Sequence, residues 1–94
     1  MHASVRRYVG NAEFADKLVR RKDEIVELIR GVPGLQAYYL IRTENDMITV
    51  TVTDDEAGAQ ESNQIAAGWI RENMPEAAPE SPEISAGEVV ITTR

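Results

Sequence analysis

The sequence contains no cysteine and a single histidine, His2, in 94 residues. Without cysteine the chain cannot form a disulfide framework, a thiolate metal site or a cysteine nucleophile. One histidine also excludes a multi-histidine metal site within one chain, so we expect no metal and no bound cofactor. No motif places a carboxylate and a nucleophile beside His2, as a catalytic triad requires. The catalytic residues, if the protein is an enzyme, are therefore left unassigned.

Basic residues are scarce relative to acidic ones, and long apolar runs are missing from the sequence. Ten Lys and Arg residues against sixteen Asp and Glu give a net charge of −6, which argues against a nucleic-acid partner because such binding needs a basic face. No apolar run approaches the roughly 20 residues that span a bilayer. We expect residues 1–94 to form one cytoplasmic domain with no membrane partner.

Hydrophobic periodicity predicts four strands and two helices. Alternation indicates strands over residues 3–9, 35–42, 47–53 and 88–93. Helical spacing indicates one helix over residues 12–30 and a second from Asp54-Asp55 to about Met74. Residues 75–87, which carry three prolines, are expected to lack regular structure. The order βαββαβ is typical of an α+β ferredoxin-like fold, a four-stranded antiparallel sheet with both helices on one face.

The same alternation assigns side chains to the two faces of the sheet. With Asn45-Asp46 as the hairpin turn, Ile41 is predicted near Val50 and Arg42 near Thr49. The side predicted to face the helices carries Val5, Val9, Ala37, Tyr39, Ile41, Ile48, Val50, Val52, Val89 and Ile91. The side predicted to be bare carries Ser4, Arg6, Tyr8, Gln36, Tyr38, Leu40, Arg42, Thr49, Thr51, Val90 and Thr92.

The face predicted to be bare is too mixed for a purely solvated surface, which would hold more Lys and Glu. A patch of this kind on a small domain usually meets another surface, and a twofold homodimer would bury it by pairing the two sheets. The alternative is a solvated face whose Tyr and Thr reflect strand propensity. The candidates for the dimer face are Arg6, Tyr8, Tyr38, Arg42, Thr49 and Thr51.

Three segments carry a resemblance to a known group of proteins. They are Ala37-Tyr38-Tyr39, the Thr-Val-Thr strand at residue 51 and, above all, residues 57–73 (AGAQESNQIAAGWIREN); the terminal residues 86–89 (AGEV) are similar too. Over residues 3–93 the chain resembles small bacterial proteins of the antibiotic biosynthesis monooxygenase-like superfamily. The resemblance implies a dimeric α/β barrel, in which two ferredoxin-like protomers join their sheets and leave the helices outside.

The resemblance implies two activities. Members of the superfamily include cofactor-independent oxygenases that act on aromatic polyketides, and oxygenases that degrade haem. The haem-degrading pattern resembles an early Asn, a Trp on the second helix and a later His. Trp69 matches the Trp and Asn11 approximates the Asn, but no His follows Trp69. The sequence therefore predicts no tight haem binding.

Trp69 lies on one stripe of the second predicted helix with Ser62 and Asn73. Small and polar residues beside an indole leave room and hydrogen-bond donors between helix and sheet, as a ligand pocket requires. The alternative is that Trp69 is a core anchor and that the small residues permit close packing.

Three further residues are candidates for ligand binding. Arg21 falls inside the apolar stripe of the first predicted helix, where it could bind an anionic oxygen, extend outward past Leu28 or pair with Glu24. Tyr39 could offer its phenol to the helix–sheet cleft, and Asn63 could cap a ligand carbonyl or simply be hydrated. Two functions stay open: a cofactor-independent, monooxygenase-like protein that binds a small aromatic or apolar molecule, and a non-catalytic ligand-binding or structural dimer.

Overall fold

Four strands and three helices make up the computed structural model, which describes residues 1–75 and 82–94. In chain order the elements are β1 (His2–Tyr8), α1 (Ala12–Val19), α2 (Lys22–Arg30), β2 (Leu35–Arg42), β3 (Met47–Thr53), α3 (Glu56–Asn73) and β4 (Glu83–Glu88). The strands pair antiparallel in the order β2-β3-β1-β4. The predicted ferredoxin-like α+β fold is confirmed. Within the described residues, no helix combines the length and hydrophobicity needed to cross a membrane.

The predicted helix over residues 12–30 is two helices that meet at Arg20 and Arg21. The Arg21 N–H donates to the Leu18 carbonyl at 3.0 Å, three residues back, so the last turn of α1 tightens before α2 begins. Neither proline nor glycine occurs at this junction, so the sequence carries no breaker signal for it. The predicted apolar stripe nevertheless continues across the junction, and its buried members are Phe14, Leu18, Ile29 and Val32.

The start of α3 agrees with its prediction. The Asp55 side chain caps the helix by accepting a hydrogen bond from the Gly58 N–H at 2.9 Å. A Cβ atom on Gly58 would lie 2.6 Å from the Pro33 carbonyl oxygen, so the first turn of α3 sits directly against the loop before β2. Only glycine permits this close approach.

The β2–β3 hairpin forms as predicted, but its register differs by two residues. Ile41 lies opposite Ile48 and Arg42 opposite Met47. The turn is centred on Glu44 and Asn45, one residue earlier than predicted, because the Thr43 N–H donates to the Asp46 carbonyl at 3.0 Å and closes the loop around residues 43–46. A shift of two residues leaves every side chain on the same face.

The last strand was predicted over residues 88–93 and is instead β4, Glu83–Glu88. The prediction that residues 75–87 lack regular structure is wrong for 83–87, while 76–81 lie outside the described residues. All six residues of β4 are exposed, so no alternation of buried and exposed side chains marks this edge strand. The ladder between β1 and β4 reaches from Arg7 and Glu83 to His2 and Glu88, and beyond it the Val89 N–H donates to the Met1 carbonyl at 2.9 Å.

The two faces of the sheet are reversed relative to the sequence prediction. Ser4, Arg6 and Thr51, predicted on the bare face, are buried beneath the helices. Tyr39 and Ile41, predicted against the helices, are 58% and 44% exposed on the open face. Alternation shows which residues share a face, but not which face the helices cover, and both sets here contain good strand formers.

Candidate functional site

A buried polar cluster lies between the sheet and the helices, and Arg6 on β1 is its centre. The Arg6 Nε donates to the Thr49 hydroxyl at 3.0 Å, and its terminal nitrogen donates to the Ser62 carbonyl on α3 at 3.4 Å. Tyr8 lies on the same face of the sheet, because it is two residues from Arg6 along β1. Tyr38 of β2 also lies on this face, because it is opposite Thr51 of β3, which is two residues from Thr49. We call Arg6, Tyr8, Tyr38 and Thr49 the Arg6 cluster.

Both phenols of the Arg6 cluster are held in their neutral form. Burial raises the pKa of Tyr8, and the nearby positive charge of Arg6 opposes this rise. The pKa of Tyr38 is raised for the same reason, with Arg6 again acting in the opposite direction. The cluster therefore offers hydroxyl and guanidinium donors, with one positive charge and no negative one.

A second polar set lies beside the first two turns of α3. The Ser4 hydroxyl donates to the Asn63 side-chain oxygen at 3.1 Å, and the Ser62 hydroxyl donates to the Ala59 carbonyl at 2.6 Å. The Thr51 hydroxyl is fully buried and has no hydrogen-bond partner within the described part of the chain. An unpaired buried hydroxyl costs about 1–3 kcal/mol. This end of the helix–sheet interface is polar as well as tightly packed.

Trp69 on α3 is half-buried, and Arg21 lies across its ring. The guanidinium carbon is 4.8 Å from the ring centroid, within the range of a cation–π contact. Arg21 also forms an ion pair with Glu24 at 2.7 Å, one of the alternatives predicted from the sequence, and the pKa of Glu24 is lowered by that hydrogen bond. Asn73 contacts both residues: its side chain donates to the Trp69 carbonyl at 3.0 Å and accepts from Arg21 at 3.4 Å.

Two spaces adjoin these groups. An inner cavity of about 20 Å³ lies beside the Arg6 cluster and Trp69, and the rest of its lining is apolar. An open groove of about 270 Å³, apolar except for Lys22 and the Tyr38 hydroxyl, lies outside it, between α1, α2 and the edge strand β2. Leu18, Ile25 and Tyr38 line both spaces, so the groove and the inner cavity adjoin at these side chains. The inner cavity holds one water-sized group, and the groove is the larger of the two.

The predicted ligand-binding residues separate into three places. Ser62 and Asn63 lie at the helix–sheet interface, whereas Trp69, Arg21 and Asn73 form the group at the other end of α3. Tyr39 does not reach the cleft, since it lies on the open face of the sheet. That expectation is wrong because the sheet faces were assigned in reverse.

The predicted dimer-face residues are also placed differently. Tyr8, Thr49 and Thr51 are buried within the chain together with Arg6, and Tyr38 lines the inner cavity beside them. Arg42 pairs with Asp16 of α1 at 2.8 Å. They lie on the helix side of the sheet, so they do not belong to its open face. Sequence reasoning therefore missed the Arg6 cluster as part of the cavity. The available signal was the position of Arg6, a charged residue between Ser4 and Tyr8 in the middle of a strand.

The residues present do not fit a haem group. His2 lies at the opposite end of β1 from Tyr8, about 20 Å away at the usual strand rise. The cavity beside Trp69 has room for a water-sized group and not for a macrocycle. Met74 packs against the core. No group of three potential metal ligands from His, Cys, Asp and Glu occurs among residues 1–75 and 82–94.

Comparison with known proteins gives matches at the level of structure. No protein-family profile matches the chain, and no curated protein matches it. The structure is similar to the haem-degrader MhuD from Mycobacterium tuberculosis, with 15% identity, a TM-score of 0.71 and full coverage of both chains. It is also similar to a dimeric ferredoxin-like protein from an uncultured marine organism, with 15% identity, a TM-score of 0.69, and coverage of 97% of this chain and 94% of that one.

A third similar structure is the N63A mutant of SnoaB, a cofactor-independent oxygenase from Streptomyces nogalater. It shares 14% identity at a TM-score of 0.65, with 98% of this chain and 95% of that chain covered. At these identities the similarities establish the fold alone. The chain has the fold that its resemblance to antibiotic biosynthesis monooxygenase-like proteins implies, a ferredoxin-like α+β fold found in oxygenases and haem-degrading proteins.

Proposed function

We propose that this protein binds a small aromatic or apolar molecule between its helices and its sheet, and that it acts as a cofactor-independent, monooxygenase-like protein. The observation that carries the proposal is an open, largely apolar groove that adjoins a cavity beside a buried polar cluster. Ligand sites are mostly apolar clefts with a few convergent polar groups, and this arrangement has both features. The shared fold with SnoaB and MhuD supports the oxygenase class.

The chemistry of this class needs little from the protein beyond binding and charge stabilisation. A substrate CH₂ group that loses a proton gives a carbanion, which supplies electrons to dioxygen. One oxygen atom enters the substrate as a carbonyl and the other leaves as water. The groove would hold the rings, while Arg6 and the neutral phenols of Tyr8 and Tyr38 would donate hydrogen bonds to the oxygen on which negative charge develops.

Trp69 is the single tryptophan of the sequence, which makes its fluorescence a direct report on ligand binding. We expect anthrone, an aromatic ketone with an acidic CH₂ group, to quench this fluorescence saturably and to raise Tm by mass action. Ala66→Leu fills space in the inner cavity and should abolish binding. Ala67→Leu, on the exposed side of the same helix, is the matched control and should bind normally. Equal quenching of both variants would contradict the proposed site.

Catalysis is tested separately with an oxygen electrode. Oxygen uptake in the presence of anthrone, with the ketone product formed in equal amount and no added cofactor, would support oxygenase activity. The second function, a non-catalytic ligand-binding or structural dimer, is favoured by the small volume of the cavity beside Trp69, about 20 Å³. Ligand binding without oxygen uptake would assign the protein to it.

We also propose that the protein is a homodimer joined through the open face of the sheet. Apart from Arg7 on β1 and Ser85 and Glu83 on β4, the large side chains of this face are apolar: Ala3, Val5, Ala37, Tyr39, Ile41, Ile48, Val50 and Val52. Tyr39 and Ile41 are among the exposed large hydrophobic residues of the chain. An apolar sheet face of this kind is typical of an interaction surface, and a structurally similar protein is described as dimeric. A second copy of the chain supplies a matching apolar face.

A further inference from the structure

Arg6 is a buried cation without a carboxylate partner in the described residues. Its side chain is 2% exposed, and its two hydrogen bonds go to a neutral hydroxyl and a neutral carbonyl. Arg7, Arg21 and Arg42, by contrast, each pair with a carboxylate within 2.8 Å at the surface. A guanidinium group buried without a counter-charge carries a desolvation penalty that only a negative group can offset well.

The described residues around Arg6 do not supply that negative group. The inner cavity is lined by the Arg6 cluster and by apolar residues of α1, α2, β3 and α3, and no Asp or Glu belongs to the lining. The two phenols are neutral near physiological pH, because burial raises the pKa of Tyr8 and of Tyr38. The inner end of the site therefore holds one uncompensated positive charge.

Arg6 also keeps donors available. A guanidinium group has five N–H donors in a planar fork, and the two contacts to Thr49 and Ser62 use two of them. No further acceptor within the described ranges contacts the remaining three. Arginine forks bind carboxylates and other planar anions through paired hydrogen bonds. The free donors and the single charge thus suit one anionic oxygen or a carboxylate.

Resting on the proposed function, we infer that Arg6 binds an ionised acidic oxygen of the ligand, so that the ligand is an aromatic or apolar acid rather than a neutral molecule. The charged oxygen and the rings of this ligand would occupy different spaces. The inner cavity of about 20 Å³ accommodates the charged oxygen beside Arg6, and the groove of about 270 Å³ accommodates the rings. The acidic oxygen is a carboxylate or a phenolate, both of which offer the same charge to the fork.

The test compares charged and neutral probes of the same shape by isothermal titration calorimetry at pH 8. The carboxylate arm uses 2-naphthoate against 2-naphthamide, and the phenolate arm uses 4-nitrophenolate against 4-nitroanisole. We expect the anion to bind at least tenfold more tightly than its neutral analogue in at least one arm. The arm with the preference identifies the type of oxygen.

Variants then assign the preference to Arg6. Arg6→Met keeps the volume and should bind the anion and the neutral analogue equally. Arg7→Met, on the open face of the sheet, is the matched control and should keep the full preference. Thr49→Val removes the acceptor that orients the Arg6 Nε and should reduce the preference while leaving the charge in place. Circular dichroism and Tm establish that each variant is folded, and Thr49→Val carries the test if Arg6→Met does not fold.

The outcomes separate this inference from the proposed function. If anions and neutral analogues bind the wild type with equal affinity, the inference is wrong and the proposed site stands. A preference that survives in folded Arg6→Met also overturns the inference, because the charge then lies elsewhere. If neither member of either pair binds the wild type at millimolar concentration, the proposed function itself fails.

Discussion

The two faces of the sheet differ in a way that separates their roles. The face beneath the helices carries Ser4, Arg6 and three threonines of β3, although it is the buried one. The open face carries valines, isoleucines and Tyr39 beside the single arginine Arg7 of β1, although none of the elements described in the structure covers it. A sheet that served only as support for its helices would place the apolar set inside. This difference matches the two proposals, a ligand site beneath the helices and a dimer interface on the open face.

The largest expected effect is a difference in the free energy of unfolding between truncating a buried side chain of the inner face and truncating an exposed one on the open face. Met47→Ala should lower the free energy of unfolding by about 2–5 kcal/mol, because Met47 is almost fully buried in the core. Ile41→Ala, on the open face, should cost well under half of that in a dilute monomer. Urea denaturation at two protein concentrations measures both. If both variants lost the same free energy of unfolding in the dilute sample, the two faces would not differ in burial as described.

The next effect concerns the open face alone. Val50→Glu places a charge in the centre of its apolar set and should weaken the proposed dimer at least tenfold, since an unpaired charge at an interface is costly. Sedimentation equilibrium at micromolar concentration measures the change. Val19→Glu places the same charge at an exposed position of α1, on the other side of the sheet, and is a matched control that should leave the dimer intact. A wild-type protein that sediments only as a monomer would contradict the dimer itself.

A smaller effect tests the polar character of the inner face. Because burial raises the pKa of Tyr8 and Tyr38, both phenols should stay neutral beyond the ordinary tyrosine value near 10. Their contribution to the free energy of unfolding is therefore fully present below about pH 10 and is lost as the pH rises through the folded-state pKa values. Ultraviolet absorbance titration of the folded protein measures this, with Tyr8→Phe and Tyr38→Phe each removing one late-titrating group. Titration of these phenols at the ordinary value would mean that the inner face is wet.

The smallest effect lies at the hairpin end of the sheet, outside both faces. The Gly10 N–H and the Arg7 guanidinium hold the pKa of Asp46 below its ordinary value. Its stabilising contribution is thus present above the ordinary pKa near 4 and is lost as the pH falls through the lower folded-state value. Asp46→Asn should flatten the acid side of the stability–pH curve. Parallel curves for the variant and the wild type would show that these contacts do not affect stability.

The sequence was sufficient to predict the fold because periodicity is a strong signal in most of its elements. The hairpin, the Asp55 cap and the length of α3 follow from alternation, capping residues and helical spacing. The break at Arg20 and Arg21 was not predictable, since the contacts that hold Arg21 come from Glu24 and from the distant Trp69. The position of β4 was not predictable either, because all six of its residues are exposed and no alternation of buried and exposed side chains marks the strand.

The site was less predictable, because the buried face of the sheet is more polar than the open face and was therefore taken for the exposed one. Trp69 and Ser62 were found from the stripe of α3, but Arg6 was assigned to an exposed interface on the expectation that the core is apolar. A helix layer that covers a polar face shows itself only in three dimensions. The small residues Gly58, Ala59 and Ser62 of α3 indicate that this helix lies close to the sheet.

The outer edge of β4 determines how the protein should behave at high concentration. The strand is exposed along its whole length, and Val90 and Ile91 beyond it are 83% and 88% exposed. Unpaired strand edges followed by apolar β-branched residues favour edge-to-edge association into larger aggregates. Near neutral pH the net charge of −6 keeps molecules apart. Colloidal stability should therefore fall as the pH approaches the sequence isoelectric point of 4.7, where that repulsion vanishes.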